Sequence, residues 1–252
     1  MKAAETSDRS ERSYNQYCSI ARAMDILGER WTILIVRDLA IGPKRYKDLL
    51  EGLPGIGTNL LAARLRRLEE EGIVNRILLP PPAGVSAYGL TAVGLQLEPV
   101  IMGLGRWGHQ FLGTPGPGEA LLPGPFFLSL RASFRPESAS DLTETYEFRV
   151  EGRVFEVRVD KGSCTTREGP ARSPDATFTI DIEKLFALRS RRLSPKDALA
   201  GGAKVDGDPS ALHRFVEVFA WPSSSADRPE PATRLPRRAR EPRRSRSNPA
   251  RR

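Results

Sequence analysis

Short polar side chains and an arginine stand at the start of an amphipathic segment that follows Gly57. Leucines at helical spacing mark its buried face: Leu61, Leu65 and Leu68. The opposite side carries the groups suited to binding: Thr58, Asn59, Ala62 and Arg66. A helix that enters the major groove N-terminus first reads base edges with such residues, and its dipole favours a nearby phosphate. Alternatively, the arginines here, Arg66 and Arg67, only pair with the acids at 69–71.

Basic residues also flank this segment in the sequence. Lys44, Arg45 and Lys47 precede and begin a shorter helix, where they are candidates for phosphate contacts that fix register without reading sequence. Arg76 lies in a strand predicted over 73–79. A proline-rich tip and a second strand, 85–90, complete a wing whose tip has no basic residue.

These side chains are positioned by a predicted three-helix core. One apolar stripe is expected on the first helix (Ile20, Ala23, Met24, Leu27) and another on the second (Trp31, Leu34, Ile35, Leu39). Three helices and a two-stranded wing predict a winged helix-turn-helix. After it, Thr91 is expected to cap a long apolar helix running to about Leu112, bent or broken near Pro99. We expect this helix to form a homodimer interface; the alternative is packing on the chain's own second half.

The second half has an α+β pattern. Two strands, 143–150 and 154–159, alternate around a Glu151-Gly152 turn, with Phe148, Phe155 and Val157 facing the same side. Two more strands, 164–167 and 177–180, and helices over 121–132, 182–188, 194–199 and around Phe215 are predicted. Seven apolar residues in this half are expected to line a ligand cavity; the alternative is that they simply form the core. They are Phe126, Phe127, Leu130, Phe155, Phe178, Phe186 and Leu188.

The net charge of +8 is unevenly distributed along the 252 residues. Residues 222–252 hold ten arginines against three acids. With few apolar residues, this segment is expected to be a disordered tail that anchors non-specifically on phosphates or has no role. The expected organisation is a disordered lead (1–13), a winged domain (14–112), a hinge (113–118), an α+β domain (119–221) and the tail (222–252).

An enzyme is not expected. No phosphate-loop or G-x-S-x-G pattern occurs, and His109 and His213 lack a catalytic or metal-binding partner in the sequence. The two cysteines, Cys18 and Cys164, form no metal-ligand or disulfide framework. We therefore expect no catalytic residue, metal or cofactor. With no signal peptide or apolar run long enough to span a bilayer, a cytoplasmic protein without membrane contact is expected.

Residues 17–108 resemble the HxlR-type helix-turn-helix family, relatives of the MarR group. The resemblance rests on Gly28-Glu29-Arg30-Trp31-Thr32, Gly42-Pro43-Lys44-Arg45-Tyr46, Leu53-Pro54-Gly55-Ile56, residues 65–72 and Leu90-Thr91. It implies a homodimeric transcriptional regulator, typically a repressor, that binds inverted-repeat double-stranded DNA. Some members sense quinones, aldehydes or oxidants through an N-terminal cysteine, which makes Cys18 a redox candidate; the alternative is a small packing residue.

The second half resembles the sterol carrier protein type two fold. The resemblance rests on residues 145–159, Pro174-Asp175-Ala176-Thr177, Leu193-Ser194-Pro195 and Val205-Asp206-Gly207-Asp208-Pro209. It implies helices laid over a sheet and a tunnel for lipid-like molecules. A hydrophobic effector would then regulate DNA binding. The alternative is a lipid carrier whose N-terminal domain is a localiser.

Overall fold

The computed structural model describes residues 13–79, 84–113 and 115–221. The predicted lead, the wing tip at 80–83 and the tail lie outside the described residues, apart from Ser13. The N-terminal half contains the helices α1 (Ser19–Leu27), α2 (Thr32–Leu39), α3 (Tyr46–Gly52) and α4 (Thr58–Glu70), the hairpin β1 (Val74–Leu78) and β2 (Ser86–Leu90), and the helices α5 (Ala92–Leu95) and α6 (Glu98–His109).

The C-terminal half begins with a helix that is followed by a hairpin. Its elements are α7 (Pro123–Ser133), β3 (Thr143–Val150), β4 (Arg153–Asp160), β5 (Ser163–Glu168), β6 (Ala176–Thr179), α8 (Ile182–Arg189), α9 (Pro195–Ala200), β7 (Lys204–Gly207) and α10 (Ala211–Phe219). The five strands are ordered β5-β4-β3-β6-β7, with β3 and β6 parallel and the other pairs antiparallel. The predicted α+β class is confirmed.

One face of this sheet is apolar because the strands alternate. Phe148 lies opposite Phe155 in the β3–β4 register, and both are fully buried with Val157 and Phe178. Helices α7, α8 and α10 supply the other side of this core through Phe127, Leu185 and Phe215, among others. Burial of aromatic rings on this scale is the main source of stability for such a one-sided sheet.

A second core joins the helices of the N-terminal half. Ile35, Leu49 and Leu65, from α2, α3 and α4, are buried in it, and Leu128 of α7 belongs to it as well. Helix α7 therefore supplies side chains to both cores. The described residues, which end at Trp221, form one compact unit. Within the described residues, no helix is long and apolar enough to cross a bilayer.

Two predictions about the N-terminal half need correction. The stripe on α1 is only partly buried in this chain: Leu27 is buried, but Ile20 is 71% exposed and Met24 41% exposed. Trp31 is half-buried and precedes α2 in a left-handed conformation, with φ at 79°. The apolar helix after Thr91 is broken near Pro99, as predicted: the chain leaves α5 before this proline, which fits only the first turn of α6. The Thr91 hydroxyl does cap α5, accepting from Gly94 N at 3.1 Å.

Candidate nucleic-acid interface

Helix α4 presents an exposed stripe opposite its buried leucines. At 100° per residue, Asn59, Ala63 and Arg66 fall on the side away from Leu61, Leu65 and Leu68, and all three are exposed. Ala62, which was predicted on this outer side, is half-buried, because it lies a quarter turn closer to the core. Ala63 was missed, although the same helical spacing identifies it.

The start of α4 is open to a ligand. No side chain caps the helix at Gly57, and Thr58 and Asn59 are exposed there. Uncapped N–H groups at a helix N-terminus attract anions such as phosphate. The Tyr46 hydroxyl donates to the Thr58 carbonyl oxygen at 2.7 Å, which ties the start of α3 to the start of α4. Tyr46 is therefore a positioning residue for the start of α4.

The remaining basic candidates are in different environments. Arg45 and Lys47, at the start of α3, are both exposed; Lys47 is 3.6 Å from Glu51 across one helical turn, a contact that adds little in solvent. Arg76 is exposed but bonds Glu69 of α4 at 3.1 Å and lies 5.4 Å from the centre of the Tyr88 ring. Arg67 pairs with Glu71 at 2.8 Å, as the alternative interpretation proposed.

Lys44, a predicted phosphate contact, does not present its side chain to solvent in this structure. Its side chain is buried, and its ammonium contacts the carboxylate of Glu168 on β5. Burial lowers the pKa of Lys44 to about 8, with Arg153 adding to the effect and Asp38 opposing it. Arg153 holds the same carboxylate of Glu168 with two bonds of 2.8 Å. No local signal in the sequence marks Lys44 as buried, because its partner lies far along the chain.

The predicted ligand-binding residues pack against one another. Phe127 stacks on Phe155 with ring centres 4.2 Å apart, and Phe126 lies 5.0 Å from Phe186. Phe178, Leu130 and Leu188 are buried in the same core. A surface cavity of about 250 Å³ near α9 and α10 is lined by none of these seven residues. In this conformation they act as core, and ligand binding by them stays a prediction.

The two cysteines differ in environment. Cys18 is exposed at the start of α1, and its redox role stays a prediction. Cys164 is half-buried on β5, and burial raises the pKa of its thiol to about 12. In the part of the chain that the structure describes, no cluster of three or more His, Cys, Asp or Glu side chains is placed to hold a metal ion.

Comparisons with known proteins divide the chain in the same way. Residues 26–115 match the HxlR-like helix-turn-helix family, and residues 128–220 match the SCP-2 sterol transfer family. The uncharacterised regulator sll1512 of Synechocystis is 37% identical over 42% of this chain and 79% of its own length. The transcriptional regulator YodB of Bacillus subtilis is 40% identical over 35% of this chain and 80% of its own length.

Solved structures show weaker overall similarity. The reduced form of YodB covers 40% of this chain and all of its own, with 36% identity and a TM-score of 0.34. A sec-alkylsulfatase from Pseudomonas covers 44% of this chain and 18% of its own, with 24% identity and a TM-score of 0.40. The family of this chain is therefore identified from the sequence matches and not from these structural similarities.

Proposed function

The chain belongs to the HxlR-like helix-turn-helix family of DNA-binding transcriptional regulators, and from this premise we propose that it binds an inverted-repeat operator as a homodimer and represses transcription. The observation that carries the proposal is the outward stripe of α4, where Asn59 and Arg66 stand exposed beside an uncapped helix start. Asparagine pairs with adenine and arginine with guanine in the major groove. A dimer seated on an operator that overlaps a promoter blocks access to it.

Phosphate contacts set the register of this helix on the duplex. Arg45 and Lys47 are exposed at the start of α3, and the Tyr46–Thr58 bond holds this helix end to the start of α4. Contacts from α3 to the backbone therefore fix how α4 enters the groove. Such contacts carry no sequence information by themselves, so their loss weakens binding to all DNA alike.

Two apolar stripes support dimerisation. On α6 and just beyond it, the exposed residues Val100, Leu104, Trp107 and Phe111 recur at helical spacing, and Ile20 and Met24 are exposed on α1. Exposed apolar side chains arranged in stripes mark an interaction surface rather than ordinary scatter. A second copy with two-fold symmetry would cover them and present two α4 helices to half-sites about one helical turn apart, roughly 34–36 Å.

A hydrophobic effector in the C-terminal half is the regulatory part of the proposal. The match to the SCP-2 sterol transfer family and the aromatic core around Phe127 and Phe155 support a lipid-like class of ligand. Since these rings are in contact, the effector would enter by displacing α7, α8 or α10 from the sheet. Natively purified protein analysed by mass spectrometry would identify a retained molecule.

Selection of duplexes from a random DNA pool tests the function directly. We expect the full chain to enrich an inverted repeat, to retard it in a gel, and to lose affinity steeply with added salt. A lipid carrier would instead enrich no sequence while binding a fluorescent fatty acid tightly. Enrichment of a single, unrepeated half-site would contradict binding as a homodimer but would still support sequence-specific DNA binding.

A further inference from the structure

We infer that Lys44 couples the C-terminal sheet to the DNA-binding wing, so that a change on the edge strand β5 is transmitted to helix α4. The contact of the Lys44 ammonium with the Glu168 carboxylate joins the two halves of the molecule. The inference rests on the proposed function only for its consequence, an effect on DNA binding. The coupling itself depends on contacts between described residues.

Lys44 is attached to the wing through its backbone. Its N–H donates to the Tyr88 carbonyl at 2.9 Å, and the Tyr88 N–H donates back to the Lys44 carbonyl at 2.8 Å. This pair of bonds is an antiparallel bridge between the turn before α3 and strand β2. Because both backbone groups of Lys44 are held in this way, a displacement of its side chain pulls directly on the wing.

The opposite end of the lysine is held just as firmly. Glu168 ends β5, and its carboxylate is gripped by the forked guanidinium of Arg153 on β4. The Glu168 N–H also donates to the Ile41 carbonyl oxygen at 3.4 Å, a second link between the halves. The buried Asp38 carboxylate adds negative charge near Lys44 and Arg153. With Lys44 buried and Glu168 half-buried, loss of the carboxylate would leave the lysine charge without this partner, so the pair resists displacement.

From the wing the contacts continue to the recognition helix. The Tyr88 ring supports the Arg76 guanidinium, and Arg76 bonds the Glu69 carboxylate near the end of α4. A continuous path therefore runs from Glu168 through Lys44, Tyr88 and Arg76 to Glu69. Coupling between distant sites can run through chains of packed side chains, hydrogen bonds and ion pairs such as this one. A ligand that shifted β5 would alter the wing and the pose of α4 together.

Hydrogen–deuterium exchange of the full-length protein tests this coupling without any DNA. Lys44→Met is the primary variant, because methionine keeps most of the buried stem while Glu168 retains its bonds to Arg153. We expect roughly fivefold faster exchange both in β2 of the wing and in β5 of the sheet. The effect must be reciprocal, so Glu168→Gln is expected to speed exchange in β2 although it lies on β5.

Glu156→Gln is the matched control. Glu156 lies on the same sheet and is also held by an arginine fork, that of Arg167, but among the described residues it forms no hydrogen bond or ion pair with the wing. We expect it to leave exchange in β2 unchanged. A double variant, Lys44→Met with Glu168→Gln, should speed β2 exchange no more than the stronger single variant.

The inference is overturned by unchanged β2 exchange in Glu168→Gln, or by equal acceleration in Glu156→Gln. Acceleration spread evenly over all strands of Lys44→Met would also overturn it, since that indicates general destabilisation. On duplex DNA selected by the unaltered protein, Lys44→Met is expected to bind several-fold more weakly. If no duplex is selected at all, the proposed function fails, while the exchange result still decides the coupling.

Discussion

Leu128 and Leu130 stand two residues apart on helix α7 and belong to different hydrophobic cores. Leu128 packs with the helices of the N-terminal half, and Leu130 packs under the C-terminal sheet. The Arg131 side chain, on the same helix, forms an ion pair with Glu98 of α6. Helix α7 therefore packs in both halves of the molecule. A hinge at residues 113–118 would not by itself let the two halves move apart, because α7 would still join them.

Leu104→Glu is expected to convert the protein from a dimer to a folded monomer. The side chain is half-exposed in the single chain and sits in the middle of the apolar stripe on α6. A carboxylate there would have to be buried unpaired against the second copy. Sedimentation velocity measures the change, with circular dichroism to confirm folding.

Leu78→Glu is the matched control for the dimer. Leu78 is 74% exposed on the wing strand, away from the α6 stripe in sequence, and its substitution should leave the sedimentation coefficient unchanged. A monomeric unaltered protein, or a Leu104→Glu variant that still sediments as a dimer, would contradict dimerisation through α6.

Thiol alkylation is expected to separate the two cysteines. The pKa of Cys164 is raised to about 12 by burial, so at pH 8 its thiol is almost entirely protonated and unreactive, whereas Cys18 is exposed. A maleimide at pH 8 should label Cys18 in the native protein and label Cys164 only after unfolding in urea. Peptide mass spectrometry reads the result. Equal native labelling of both would show that β5 opens readily.

Arg189→Met is expected to lower the free energy of unfolding by about 3 kcal/mol. The buried guanidinium donates to the Phe219 carbonyl at 3.1 Å and to the Ser129 carbonyl at 2.9 Å, and both acceptors would lose this donor. Urea titration followed by circular dichroism measures the change. Arg192→Met, at an exposed arginine just after the same helix, should stay within about 0.5 kcal/mol of the unaltered protein. If the unaltered protein, Arg189→Met and Arg192→Met were equally stable, the hydrogen bonds of Arg189 would contribute nothing to the free energy of unfolding.

Hydrophobic periodicity was sufficient to predict an element and its inner face where that face is buried within this chain. Alternation around Glu151 predicts the β3–β4 hairpin with Phe148 and Phe155 on the inner side, and the spacing of Leu61 and Leu65 orients α4. The same reasoning finds the stripe on α1. It cannot say whether this chain buries every residue of the stripe, and for Ile20 the predicted burial is wrong.

Features set by distant partners were not predictable from local patterns. Lys44 follows Gly42-Pro43 in a polar stretch, a context typical of an exposed turn, and only the fold brings Glu168 to it. Strand β7 was missed because Val205 is the single apolar residue in its four positions, too few for alternation to register. It pairs at the sheet edge with β6, where backbone bonds rather than apolar burial hold it.

The most direct test of the central claim, that the outer face of α4 reads DNA sequence, is the affinity of Asn59→Ala for the selected operator and for a scrambled duplex. The account predicts a loss of about 1–3 kcal/mol on the operator, with little change on the scrambled duplex. Arg158→Ala, at an exposed arginine on the C-terminal sheet, serves as the control and should change neither affinity. Equal losses of Asn59→Ala on both duplexes, or no loss on either, would contradict base reading by this helix.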